Sequence, residues 1–181
     1  MKVYVHLATG FEEVEAITII DVLRRAGVDV ESISVTGQDI VTGAHGIPIK
    51  ADLLFENGNY ESCGMIVLPG GIPGTPNLAA HEGLMKEIKN FAAKNRFLAA
   101  ICAAPMILGE AGLLNGKTAV IYPGMESHLK GAVIGSEAVV VDDNYITSKG
   151  PGTAMDFALT IARILKGDEA VDDLREEMLL K

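Results

Sequence analysis

A lone thiol stands where an apolar run passes straight into a helix-forming one. In FLAAICAAPMILGEAG, residues 97–112, five apolar residues lead to Cys102, and Ala103, Ala104 and Pro105 follow it. The two alanines permit a sharp turn. Pro105 suits a first-turn helical position, where its missing N–H costs nothing. Free amide N–H groups at a helix start favour negative charge, so the position predicts a lowered thiol pKa and an anionic sulfur at cellular pH. The N–H groups of Ala103 and of Gly71, in PGGIPG, are candidates to face a developing oxyanion. The residues alone also fit a second reading. Free cysteine is among the most buried residue types, and Cys102 could be a core residue. Cys63 has no helix behind it and reads as structural.

Carboxylates are the second chemical group. ATGFEEVE, residues 8–15, carries Glu12, Glu13 and Glu15. An ionised carboxylate beside a thiolate raises the thiol pKa, whereas a buried, protonated one donates a hydrogen bond to sulfur. Glu15, one turn into the helix that follows, is best placed to point back over the strand end. Glu12 and Glu13 are read as complementing the helix dipole. Two apparent phosphate motifs fail. GLLNGKT, residues 112–118, has one residue too few between its glycines and leads into a strand, and GGIPG lacks the third glycine spacing of a dinucleotide site.

The elements that must position these groups alternate. Strands are predicted at Val3–Leu7, Val30–Val35, Met65–Leu68, Phe97–Ile101 and Thr118–Ile121. Helices are predicted at Val14–Ala26, along the Leu84, Ile88, Phe91 stripe, at Ala104–Ala111 and at Thr153–Leu165, with an acidic helix after that. Ile40–Ala51 reads as a hairpin or edge excursion, and AVVVDDNYITS as a hairpin turning at Asp143-Asn144. This alternation predicts an α/β protein, a mostly parallel sheet with helices on both faces, in one domain over residues 1–181. In such a sheet the strands' carboxyl ends share one edge, where ligands bind. The carboxylates, Gly70 and Gly71, Cys102 and the SKGPGT turn at 148–153 all leave strands there.

Composition limits the partners. Twenty-four acidic residues against 15 basic ones give a net charge of −9, which disfavours nucleic acid. No apolar run reaches the length of a membrane span, and two cysteines make no disulfide framework, so a cytoplasmic home is expected. Four scattered histidines suggest no metal site. The first helix, EAITIIDVLRRAG, is apolar on more than one side, which fits either burial under a neighbouring loop or a homodimer seam.

ATGFEEVE, DVLRRAG, IVLPGG, AAICAAP and TSKGPGTAMDFAL, taken in this order, resemble the ThiJ/PfpI family, in the branch of the parkinsonism-associated deglycase. The resemblance spans nearly the whole chain. It implies a flavodoxin-like three-layer sandwich and a homodimer through the first helix. It also implies a reactive Cys102 partnered by a protonated Glu15, with the amides of Gly71 and Ala103 as oxyanion donors. It implies a small carbonyl substrate, glyoxals or early glycated adducts, with no cofactor. Peroxide sensing or holdase action through oxidation of the same cysteine is the alternative. Two residues depart from the pattern. The protease-like branch has histidine after the cysteine, where this chain has Ala103. The deglycase has a histidine approaching from the IYPG turn, where this chain has Tyr122, a poor base near neutral pH. Gly70, Tyr122 and His45 remain as cleft-lining candidates.

Overall fold

The computed structural model describes residues 1–180. In chain order the elements are β1 (Lys2–Leu7), α1 (Glu13–Arg25), β2 (Asp29–Ser34), β3 (Ile40–Thr42), β4 (Pro48–Lys50) and β5 (Leu53–Leu54). Then come β6 (Cys63–Leu68), α2 (Gly74–Ala80), α3 (Glu82–Ala93), β7 (Phe97–Ile101), α4 (Pro105–Glu110) and β8 (Thr118–Ala119). The chain closes with β9 (Val133–Ile134), β10 (Val139–Asp142), β11 (Tyr145–Ser148), α5 (Ala154–Lys166) and α6 (Asp168–Glu177). Seven strands form one sheet in the order β10-β11-β7-β6-β1-β2-β5. All neighbours run parallel except β10, which pairs antiparallel with β11.

Strand side chains alternate between two cores, as the period of two requires. Val3, Val5, Leu7, Met65 and Val67 pack with α1, α5 and α6 through residues such as Ile19, Leu23, Phe157 and Ile161. Tyr4, Ile66, Leu68, Leu98 and Ala100 pack with α2, α3 and α4 through Leu78, Leu84, Ile88, Phe91 and Ile107. Because both faces are covered, the central strands read as near-continuous apolar runs. This is the flavodoxin-like three-layer arrangement that the alternation of elements predicts.

Three local expectations are revised. The strand predicted at Thr118–Ile121 ends at Ala119 and pairs only with β9, outside the main sheet. Its next amides turn elsewhere: Val120 N–H donates to Thr147 Oγ1 at 3.0 Å, and Tyr122 N–H to the Cys102 carbonyl at 2.9 Å. The PGGIPG turn is followed by a helix of its own, α2, before the apolar stripe of α3. Leu53 and Leu54 add a two-residue edge strand beside Ile33 and Ser34. The Ile40–Ala51 excursion is an antiparallel hairpin of β3 and β4, and the late hairpin turns at Asp143-Asn144 with Asp142 opposite Tyr145.

Candidate active site

Cys102 follows β7 with φ +62°. A non-glycine residue adopts this left-handed conformation at a cost of about 1–3 kcal/mol, which the surrounding structure must hold in place. Hydrogen bonds on both sides do so. Cys102 N–H donates to the Ser148 carbonyl at 3.0 Å, and its own carbonyl accepts from Tyr122 N–H. Ala104 N–H closes the turn onto the Ile101 carbonyl at 3.0 Å, and Pro105 opens α4. Cys102 as a residue is 9% exposed.

Gly70 makes room for it, and Gly71 lets the same turn close against the backbone that leads into α1. A Cβ on Gly70 would lie 2.6 Å from Cys102 Cβ and 3.0 Å from Glu15 Oε2. Gly71 has φ +96°, and a Cβ there would lie 2.5 Å from both Glu12 N and the Gly10 carbonyl. Neither position tolerates a side chain without moving backbone.

Glu15 is completely buried. Its Oε2 accepts the Gly70 N–H at 2.7 Å, while Oε1 has no hydrogen-bond partner. The helix start fixes this pose. Glu12 is the N-cap of α1, its Oε2 accepts Glu15 N–H at 2.7 Å, and its own N–H donates to the Gly70 carbonyl at 2.9 Å. Burial pushes the Glu15 carboxyl up to about 7, against the pull of the Gly70 amide and the Cys102 thiol. The carboxyl is therefore poised between its two protonation states near neutrality.

The charge on Cys102 reverses the expectation from the helix start. Burial, and then the Glu15 charge and its hydrogen bond, push the thiol up to about 12, while the amides of Ala103 and Gly71 pull it down less strongly. The reason is physical. α4 has only six residues, so its dipole is short, whereas burial desolvates the sulfur itself. Cys102 rests as a thiol beside a carboxyl able to take its proton, not as a standing thiolate. Cys63 is also raised, to about 11, by burial; its Sγ donates to the Met65 carbonyl at 3.2 Å, as a packed structural thiol would.

The other candidates lie around this centre. Tyr122 is half-exposed, with its ring over Gly150: a Cβ there would be 3.4 Å from Tyr122 Cδ2. His45 sits exposed on the β3–β4 hairpin, its Nδ1 2.7 Å from Glu13 Oε2. Glu13 thus serves the hairpin as well as the helix dipole. Among the described residues Glu12, Glu13 and His45 form one cluster of metal-ligand types, but Glu12 Oε2 caps α1 and both Glu13 oxygens are taken by the hairpin. Sequence reasoning missed the brace behind the elbow. Ser148 Oγ pairs with Thr153 Oγ1 at 2.7 Å, Thr153 Oγ1 accepts Gly150 N–H at 3.1 Å, and Ser148 Oγ donates to the Ala138 carbonyl at 2.8 Å. The polar residues on either side of GPG were its only signal. Two surface hollows of about 460 and 450 Å³ lie elsewhere, beside Arg96 and beside Met106, and include neither Cys102 nor Glu15.

Comparison with known proteins places the sequence and the fold in one family. Residues 1–164 match the DJ-1/PfpI family. Protein DJ-1 homolog B of Arabidopsis thaliana is 38% identical over 182 residues, covering 99% of this chain and 42% of the plant protein. The chain thus spans less than half the length of that relative. A deglycase of Pyrococcus abyssi is 31% identical over 168 residues, covering 92% of this chain and 100% of the relative. The structure of oxidized Toxoplasma gondii DJ-1 superposes with a TM-score of 0.94 at 36% identity, covering 98% of this chain and 97% of that one. With this match in sequence and in fold, the chain belongs to the DJ-1/PfpI family.

Proposed function

We propose that the protein is a cysteine-dependent enzyme of the glyoxalase or deglycase type, acting on glyoxals or early glycated adducts without a cofactor. The observation that carries this reading is the buried Glu15 carboxyl, poised near neutrality beside Cys102, with one oxygen fixed by Gly70 and the other free. A general base is most effective when its pKa lies near the working pH. Ionised Glu15 takes the thiol proton as sulfur adds to the aldehyde carbon of a 2-oxoaldehyde, and a hemithioacetal forms. The amides of Ala103 and Gly71 receive the charge that develops on the aldehyde oxygen. Glu15 returns the thiol proton to that oxygen, which completes the hemithioacetal and leaves the carboxylate ionised. It then moves the proton from the former aldehyde carbon to the ketone carbon, while the hydroxyl proton of the first carbon passes to the second carbon's oxygen. The first carbon is oxidised to a thioester and the second reduced to an alcohol. Water cleaves the thioester, releasing a 2-hydroxy acid and the thiol. The balance is one dicarbonyl and one water in, one hydroxy acid out. A cysteine only 9% exposed favours such small carbonyls over the backbone of a folded protein. The Pyrococcus relative's name, a deglycase, supports the same class.

The test is turnover of methylglyoxal to lactate by the wild type, Cys102→Ser and Glu15→Gln. The reading requires loss of turnover in both variants, and full turnover by Cys102→Ser contradicts it.

A second reading draws on the oxidized state of the Toxoplasma structure. Here two equivalents of peroxide convert Cys102 to the sulfinic acid, releasing two waters, and protonated Glu15 donates to the product. Intact-mass analysis after mild peroxide separates the readings. Gain of two oxygens at Cys102, at doses that spare Cys63, supports sensing; equal slow oxidation of both cysteines opposes it. We further propose a homodimer through α1, which leaves Val14 and Ile17 exposed on its outer side.

A further inference from the structure

His45 and Glu13 are joined more closely than a surface ion pair requires. Glu13 is buried, and both its oxygens are held by the β3–β4 hairpin. Oε1 accepts the His45 backbone N–H at 2.7 Å and the Ile47 N–H at 3.4 Å, and Oε2 meets His45 Nδ1 at 2.7 Å. The hairpin has been shaped to admit this carboxylate. A Cβ on Gly43 would lie 2.3 Å from Glu13 Oε1. Two backbone bonds on either side complete the attachment: Ala44 N–H to the Phe11 carbonyl and Gly10 N–H to the Thr42 carbonyl, each at 2.8 Å. From Glu13 the connection continues through the first turn of α1 to Glu12, Glu15 and Gly70.

We propose that the His45–Glu13 clamp is a positioning device for Glu15: it fixes the first turn of α1 and lays one cation against a turn that otherwise carries only carboxylates. The proposal rests on the reading of Glu15 as the base for Cys102. The charged groups that bear on it are few. Glu13 and Glu12 face His45, the latter at 4.0 Å, and Glu12 and Cys102 face Glu15. Asp39 and Lys50 pair with each other at 3.8 Å at the hairpin's base. The Glu12 charge raises Glu15, and His45, whose own pKa is raised by its bond to Glu13, lies 4.0 Å from Glu12 Oε1, so its charge bears on Glu15 through Glu12. Protonated His45 offsets the carboxylates and keeps Glu15 easier to ionise.

The experiment measures Cys102 alkylation by iodoacetamide against pH, resolved by mass spectrometry, with Cys63 as the internal reference. It compares wild type, His45→Gln and His45→Arg. The backbone N–H at position 45 survives both substitutions, so the hairpin keeps its main bond to Glu13. The expected result is a midpoint raised by about 0.3–0.5 pH unit in His45→Gln, the size of a partly screened surface charge effect. Its rate below the midpoint then falls about two- to threefold. His45→Arg, a permanent cation, restores the wild-type midpoint or lowers it. An unchanged midpoint in His45→Gln overturns the proposal, as does an equal upward shift in both variants. If Glu15→Gln also leaves the Cys102 profile unchanged, the reading of Glu15 as base fails with it; if Glu15→Gln alters the profile, only the clamp falls.

Discussion

The Gly70 amide donates to Glu15 Oε2 at 2.7 Å while a Cβ on Gly70 would strike Cys102 Cβ at 2.6 Å, so one glycine both orients the carboxyl and makes room for the thiol. Strand β6 therefore delivers backbone, not a side chain, to the point where α1 and β7 meet. The acid–base partner and the sulfur are held by different elements and touch only because residue 70 has no side chain.

Gly70→Ala tests this directly. The added methyl has to displace Cys102 or the Ile101 carbonyl, 3.0 Å away. Overpacking of this kind costs about 1–3 kcal/mol. The expected outcome is a melting temperature lower by several degrees, with turnover lost more than tenfold while the protein remains folded by circular dichroism.

Glu15→Gln should stabilise the protein while inactivating it. The folded pKa of Glu15 is raised from 4.5 to about 7, so the folded state binds its proton more tightly than the unfolded chain. The associated stability is fully present below pH 4.5 and is lost as pH rises through 7. Above neutrality the ionised, buried carboxylate is a burden of up to about 3 kcal/mol, which the amide removes. Thermal melts of the two proteins should converge near pH 4 and separate above pH 7, with the variant higher.

His6 should make the protein acid-labile. It is fully buried, its Nε2 lies 2.8 Å from Tyr60 Oη, and burial lowers its pKa from 6.5 to about 3. The unfolded chain takes up a proton below pH 6.5 that the folded state refuses. The stability from keeping His6 neutral is complete above pH 6.5 and falls steadily from there to pH 3. Urea melts of His6→Gln should lose less stability between pH 7 and pH 4 than those of the wild type.

Ile17→Glu probes the proposed seam. Ile17 is exposed on α1, so the substitution leaves the core intact while placing a charge on the outer face. Light scattering should give a dimer for the wild type and a monomer for the variant. A monomeric wild type would remove the dimer from the account.

The parts of this architecture that could be read from sequence are those governed by local periodicity. The apolar runs of β1, β6 and β7 and the stripe of Leu84, Ile88 and Phe91 each announce their element, and Ala103-Ala104-Pro105 announces the elbow. What stayed hidden depends on long-range geometry. The Ser148–Thr153 brace is set by the β10–β11 hairpin, which brings the Ala138 carbonyl to Ser148 Oγ. The two-residue strand β5 exists only because Ile33 and Ser34 offer it an edge. The resting charge of Cys102 could not be inferred from its helix start, because the outcome turns on how deeply folding buries the sulfur. Glu13 and His45, 32 residues apart, meet only in the folded chain.

The central claim is that Glu15, titrating near neutrality, draws the proton from Cys102. Its most direct test is the pH dependence of Cys102 alkylation in wild type and Glu15→Gln. The account predicts a wild-type rise centred near pH 7, the Glu15 value, and in the variant the loss of that rise, with Cys102 reacting only at the alkaline pH that its own burial sets once the Glu15 charge is gone. A variant that reacts at neutral pH as fast as the wild type contradicts it.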